Sequence, residues 1–210
     1  MSQGRALKEL ARGETIDLNW SVTSKEREQI LRAVRIPIYK GLIGWRVFFI
    51  VNDSQKRFAA ISNIAQLQDL LAVQRFDWPD HRILMANQLR VEGDFSYEQM
   101  YKSLSEGLVD YFPRSVLEIN REKEQLKYDN LKIEQTLLIK YPSATYFFVN
   151  KEKKALAKTI EEGFKKAIAD GSYHALFDRY FTQELAKLSL DKRKVIELNN
   201  PYFPITVLNQ

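Results

Sequence analysis

The 210-residue sequence contains no cysteine and only two histidines, His81 and His174. Without cysteine there is no disulfide, no thiolate metal site and no cysteine nucleophile. Two histidines in unrelated contexts leave no histidine-rich metal site and no nucleophile elbow. P-loop and dinucleotide fingerprints are absent. Glycine and proline number 8 and 6, and neither a low-complexity tract nor a fixed-period repeat interrupts the chain. No stretch approaches the ~20 apolar residues of a membrane-spanning helix. The longest run, Val47 to Val51, has the length of a strand. The opening residues, Met1 to Leu10, are polar and amphipathic rather than signal-peptide-like. These absences speak against an enzyme, with no catalytic residue, cofactor, metal ligand or membrane insertion expected.

What is present is ordinary globular usage, 45% hydrophobic and 28% charged, enough for one large domain or two small lobes. The net charge is +5, but bases alternate with acids, as in Lys151 to Lys154 and Asp191 to Lys194. A nucleic-acid footprint would gather them on one face, so the charge reads as solvated surface and no nucleic-acid partner is expected.

The pattern predicts a helix over 3–12, a strand over 15–22 and a helix capped by Thr23 or Ser24, with Glu26 and Glu28 in its first turn. A long strand-like segment, Ile36 to Asn52, is punctuated by Pro37, Gly41 and Gly44. Short strands are predicted over 57–61, 72–76, 89–92 and 108–112, with helices over 64–71, 79–87 and 114–128 among them. Ser96 with Gln99 makes a capping box for a helix through Ser105. Strands over 133–140 and 144–149, helices over 156–169 and 172–181, and one short strand within 194–208 complete the reading. Alternating strands and helices give an α/β fold with largely parallel strands. The chain leaves one lobe near residue 46 and returns near 142, so lobe 1 comprises 1–45 with 142–210 and an inserted lobe 2 comprises 46–141. A small-molecule ligand is expected in the cleft between such lobes, with Gly41 and Gly44 as hinge candidates or plain turn glycines.

Asp170, Gly171, Tyr173, Leu176, Arg179 and Phe181 follow the closing-helix pattern of bacterial extracellular solute-binding proteins of the polar-amino-acid type. Asp17 to Arg27, Ile36 to Tyr39 and Glu106 to Asp110 resemble three further motifs of that family, in the same order. More narrowly, Trp78-Pro79-Asp80 and Asp110 to Arg114 are similar to a proteobacterial subgroup of transporter substrate-binding-domain proteins. The resemblance covers nearly the whole chain. It implies the two-lobed type 2 periplasmic-binding-protein fold, a periplasmic location, and service to an ABC-type transporter or a sensor. Family members begin with a strand, a helix and a second strand before the point where this sequence starts. Lobe 1 is therefore expected to be N-terminally truncated, and the chain is expected to aggregate, to dimerise over the exposed surface or to be a fragment of a longer molecule.

The resemblance also nominates residues. Arg27 matches the arginine that forks onto a ligand carboxylate, a geometry guanidinium supplies; the plainer reading is a solvated arginine paired with Glu26 or Glu28. Ser24 matches a capping threonine that also bonds the ligand. Trp20 and Val22 stand where the family has a small residue and a hydroxyl. Trp78 and Asp80 open a helix whose N-terminus offers N–H groups to an anion, although Asp80 would repel one; the plainer reading is a core Trp78 and a capping Asp80. Ser115 occupies the place of the carboxylate that holds an amino acid's ammonium group, and Arg114 stands beside it, either in the cleft or anchoring Glu118 or Asp110. That exchange shifts the expected ligand from a zwitterionic amino acid to an anionic or neutral polar molecule. Tyr39, in the crossing segment, is the aromatic expected to touch it. The alternative is a degenerate, non-transport sensory or protein-interaction module of the same fold.

Overall fold

The computed structural model describes residues 3–204. Its first half contains α1 (Gln3–Arg12), β1 (Asn19–Val22), α2 (Lys25–Ile30), β2 (Leu31–Val34), β3 (Trp45–Val51), α3 (Gln55–Ala59) and α4 (Ile64–Gln68), followed by β4 (Leu71–Val73), α5 (Pro79–Ala86), β5 (Arg90–Glu92) and α6 (Tyr97–Ser105). Its second half contains β6 (Phe112–Ser115), α7 (Ile119–Glu124), β7 (Leu131–Ile133), β8 (Leu137–Lys140), β9 (Thr145–Asn150), α8 (Lys154–Ala169), α9 (Ser172–Ala186) and β10 (Lys194–Glu197). Two compact units divide the described residues: unit 1 holds 3–43, 143–182 and 202–204, and unit 2 holds 44–142 and 183–201. The chain crosses between units four times, at 43/44, 142/143, 182/183 and 201/202. The segment 183–201, expected in lobe 1, falls in unit 2 because β10 pairs in parallel with β8 there.

Unit 1 is built on a three-stranded sheet in the order β1-β9-β2, antiparallel throughout. The two-residue period of β9 divides its side chains between two faces. Tyr146 and Phe148 join Leu7 and Leu10 of α1 in one core, while Val149 and Phe147 join Ala157 and Ile160 of α8 in another. Helix α1 buries Ala6, Leu7 and Leu10, the spacing of a single helical stripe. The closing-helix motif has a local purpose. Tyr173 stacks edge-on against Phe164 at 5.1 Å and donates its hydroxyl to Pro37 O and Ile38 O at 3.3 and 3.2 Å. The segment it pins then turns through Lys40 and Gly41, at φ 51° and 78°. Only the glycine tolerates that region without strain.

Unit 2 carries the path β10-β8-β3-β6, with β7 also on β3, and a separate parallel pair β4-β5. The expectation of largely parallel strands does not hold: only β10-β8 and β4-β5 are parallel among the seven pairings described. Strands β3 and β8, neighbours in the sheet, pair antiparallel. The long strand-like segment narrows to β3, because Pro37 to Gly44 is spent on turns and a short 3-10 helix. Residues 57–61, expected as a strand, lie largely in α3; Phe58 and Ile61 are buried three residues apart, a helical spacing. The helix expected from Arg114 shrinks to α7, since Phe112 to Ser115 are all buried and form β6. A strand covered on both faces shows no alternation to read. The expected tail beyond Pro204 lies outside the described residues.

Candidate functional site

In unit 1, β1 ends at Val22 and Ser24 caps α2, its Oγ accepting from Arg27 N at 3.2 Å. That cap holds Arg27 at the third helical position and lets its side chain fold back over β1. Arg27 Nη1 donates to Ser21 Oγ at 2.6 Å and to Val22 O, and Nη2 donates to Gln3 Oε1 at 3.1 Å. All three acceptors are neutral. Glu28 is engaged elsewhere, accepting from Thr23 Oγ1 at 2.6 Å and from Arg35 Nε at 3.0 Å. Burial therefore lowers the Arg27 pKa, and the attraction of Glu26 does not offset it. Trp20 lies on β1 with 61% of its surface exposed. Tyr39 sits edge-on to Phe181, ring centroids 5.8 Å apart.

Unit 2 collects the other four expected residues into two adjoining clusters. Trp78 precedes α5 at the cap position and Pro79 opens the helix, where a missing N–H is harmless. Asp80 does not cap that helix. It is buried, paired with Arg46 Nη2 at 2.6 Å, and accepts a short hydrogen bond from the Tyr141 hydroxyl. Burial alone would lower the Arg46 pKa, but Asp80 and then Tyr141 raise it above the ordinary value. Asp80 is thus neutralised rather than presented as a repelling charge. Ser115 is fully buried opposite Arg46 in the β3-β6 register, and its Oγ accepts from Leu117 N at 3.3 Å.

Arg114 lies within β6 rather than after it, and is 7% exposed. Its Nε donates to both oxygens of Glu122 at 3.1 and 2.8 Å, its Nη2 bonds Glu122 again, and Glu118 Oε2 lies 3.2 Å from Nη2. The guanidinium carbon stands 5.0 Å from the Trp78 ring, 5.1 Å from Phe112 and 5.9 Å from Tyr97. Burial works against this charge, yet Glu122 and Glu118 hold its pKa above the usual arginine range. Asp110, the other anchor considered from sequence, pairs with Arg57 instead, at 2.6 Å.

The structure thus brings Trp78 to Arg114 and joins Asp80 to the partner strand of Ser115 through Arg46. Sequence reading missed Arg46, Tyr141 and Glu122. One signal was available: Arg46 is a charge inside the apolar run Trp45–Val51, and a buried charge demands a partner. Among the described residues, no cluster of His, Asp and Glu could hold a metal ion, and no helix is long and apolar enough to cross a membrane.

No protein-family model and no curated protein matches the chain. Solved structures do. A protein assigned as the binding component of an ABC transporter from Wolinella succinogenes DSM 1740, complexed with lysine, superimposes with TM-score 0.67 at 15% identity, over 86% of this chain and 76% of that one. An amino acid ABC transporter substrate-binding protein from Streptococcus pneumoniae, bound to L-arginine, gives TM-score 0.63 at 16% identity, over 89% and 74%. An ancestral amino acid-binding protein, a precursor of cyclohexadienyl dehydratase, gives 0.61 at 11%, over 83% and 73%. At these identities the likeness establishes the fold: a two-lobed α/β architecture of the type 2 periplasmic-binding-protein class.

Proposed function

We propose that this chain, with the fold of amino-acid ABC transporter binding proteins, is itself a solute-binding receptor. It captures a small polar or anionic organic molecule and serves an ABC-type transporter or a sensor in the periplasm. One observation carries the reading. Arg27 is a partly buried guanidinium that, among the described residues, hydrogen-bonds only to neutral acceptors and whose charge is disfavoured by burial. A carboxylate or similar anion beside it would relieve that cost and use the remaining N–H donors of the fork. Trp20, exposed on β1, and the half-buried Tyr39 are the aromatic residues this reading assigns to the organic part of the ligand. The reading is one of binding, with no catalytic step.

The test is a thermal-shift screen of carboxylates, amino acids and amines. Ligand at 100 times its dissociation constant stabilises a receptor by about 2.7 kcal/mol. A carboxylate should raise the melting temperature, and Arg27→Ala should abolish the rise while leaving the unliganded melt nearly in place. A rise that persists in Arg27→Ala removes Arg27 from the site.

A second reading, a degenerate sensory or protein-interaction module, has its own support in unit 2. Arg114, Asp80 and Ser115 are all satisfied by neighbours within the unit. If no member of the panel moves the melt of the unaltered chain, this second reading replaces the first.

A further inference from the structure

We propose that a cavity of about 280 Å³ between α6 and α7 of unit 2 is a binding site for a small organic cation, such as an alkylammonium ion. This site is separate from Arg27 and does not rest on the receptor reading. Its walls are the rings of Tyr97, Tyr101 and Tyr128, with the carboxylates of Glu98 and Glu122 and the ammonium of Lys127. The volume is near the lower end of small-molecule sites, roughly 300–1,000 Å³.

The chemistry of the lining selects the charge of the occupant. Aromatic faces attract cations through the ring quadrupole, most strongly where water is excluded. One of these rings already does so: Arg114 stands over Tyr97, as it does over Trp78 and Phe112 outside the cavity. Tyr97 and Tyr101 meet edge to face at 5.4 Å, and both hydroxyls donate to Glu122 at 3.2 Å. That network fixes the tyrosines in place and leaves little acceptor capacity on Glu122. The Glu98 carboxylate, by contrast, makes no hydrogen bond or ion pair among the described residues, nor does the Tyr128 hydroxyl. With Glu122 already paired to Arg114, the uncommitted charges of the lining are Glu98 and Lys127, one of each sign, and the three tyrosines weigh the site towards a cation. An ammonium group seated among the tyrosines and facing Glu98 satisfies both the rings and the uncommitted charge. An organic anion would gain Lys127 but meet the Glu98 carboxylate and the negative faces of the tyrosine rings.

Amide NMR of the full chain tests this with tetramethylammonium, butylammonium and butyrate, each against sodium chloride at equal ionic strength. The two cations should shift resonances of residues 97–101 and 122–128, and butyrate should leave them in place. Glu98→Gln, at an exposed position, should weaken tetramethylammonium binding about fivefold, the scale of a partly exposed charge pair. Tyr128→Ala should weaken it similarly, Tyr128→Phe should restore it, and Lys127→Gln should tighten it about twofold. Arg27→Ala should change nothing, which separates this site from the receptor reading. Cation shifts no larger than those of butyrate, or unaltered affinity in both Glu98→Gln and Tyr128→Ala, would overturn the proposal.

Discussion

Arg27 in unit 1 and Arg114 in unit 2 have similar sequence surroundings, an arginine near the end of a strand with glutamates a few residues away. Their structural settings are opposite. Arg27 bonds a serine hydroxyl, a backbone carbonyl and an amide oxygen, and its charge is disfavoured. Arg114 is deeper, bonds two glutamates, packs against three rings, and its charge is reinforced. A guanidinium with neutral partners keeps its electrostatic attraction for an outside anion; one with two carboxylates has spent it. Unit 1 is therefore where we propose the anion site, and the Arg114 cluster of unit 2 organises its own strands and helices.

The largest expected effects break unit 2. Asp80→Ala leaves the Arg46 guanidinium buried without its carboxylate, and losing one partner of a buried pair costs about 3–5 kcal/mol. Arg114→Ala strands Glu122 and empties a space among Trp78, Tyr97 and Phe112, with a loss of similar size. Urea unfolding followed by tryptophan fluorescence measures both. Losses below about 1 kcal/mol, the scale of exposed pairs, would place these ions in solvent and undo the contrast with Arg27.

A smaller effect of opposite sign comes from hydroxyls that lack partners. The hydroxyls of Tyr111 and Tyr146 are buried without a hydrogen bond among the described residues. Burial raises both pKa values, that of Tyr146 to about 12. Removing an unsatisfied buried polar atom recovers about 1 kcal/mol or more, so Tyr146→Phe and Tyr111→Phe should each stabilise the chain at neutral pH. The sign with pH follows from the raised values. The folded state keeps the proton that the unfolded state releases near pH 10, so stability is intact below that pH and declines as pH rises towards 12. Tyr146→Phe should flatten that decline in melts taken from pH 9 to 12. An unchanged alkaline slope would mean that Tyr146 has already found a partner.

Much of this was legible in the sequence because the signals were local. Ser24 and Ser96 cap the helices that their side chains predict, down to the reciprocal Gln99 bond. Asp170 and Gly171 end α8 where the pattern stops, with Gly171 at φ 81°. What was hidden is long-range. Asp80 reads as a cap from its neighbours, but Arg46 and Tyr141, 34 and 61 residues away, claim it. Arg114 reads as the residue after a strand because β6 is buried on both faces and shows no alternation. Residues 57–61 were too short to tell helix from strand until Phe58 and Ile61 were seen on one buried side.

The smallest expected change in stability is also the most informative. Arg27→Ala removes three hydrogen bonds to neutral acceptors, each worth about 0.5–1.5 kcal/mol. It also removes a charge that burial disfavours, and the two effects oppose each other. The unliganded variant should therefore unfold within about 1 kcal/mol of the parent chain, several times less than Arg114→Ala under the same conditions. Paired urea melts measure that difference directly. Equal losses at the two positions would make Arg27 a structural anchor like Arg114. A near-silent melt, joined to a lost response to carboxylates, would assign Arg27 to recognition and Arg114 to the fold.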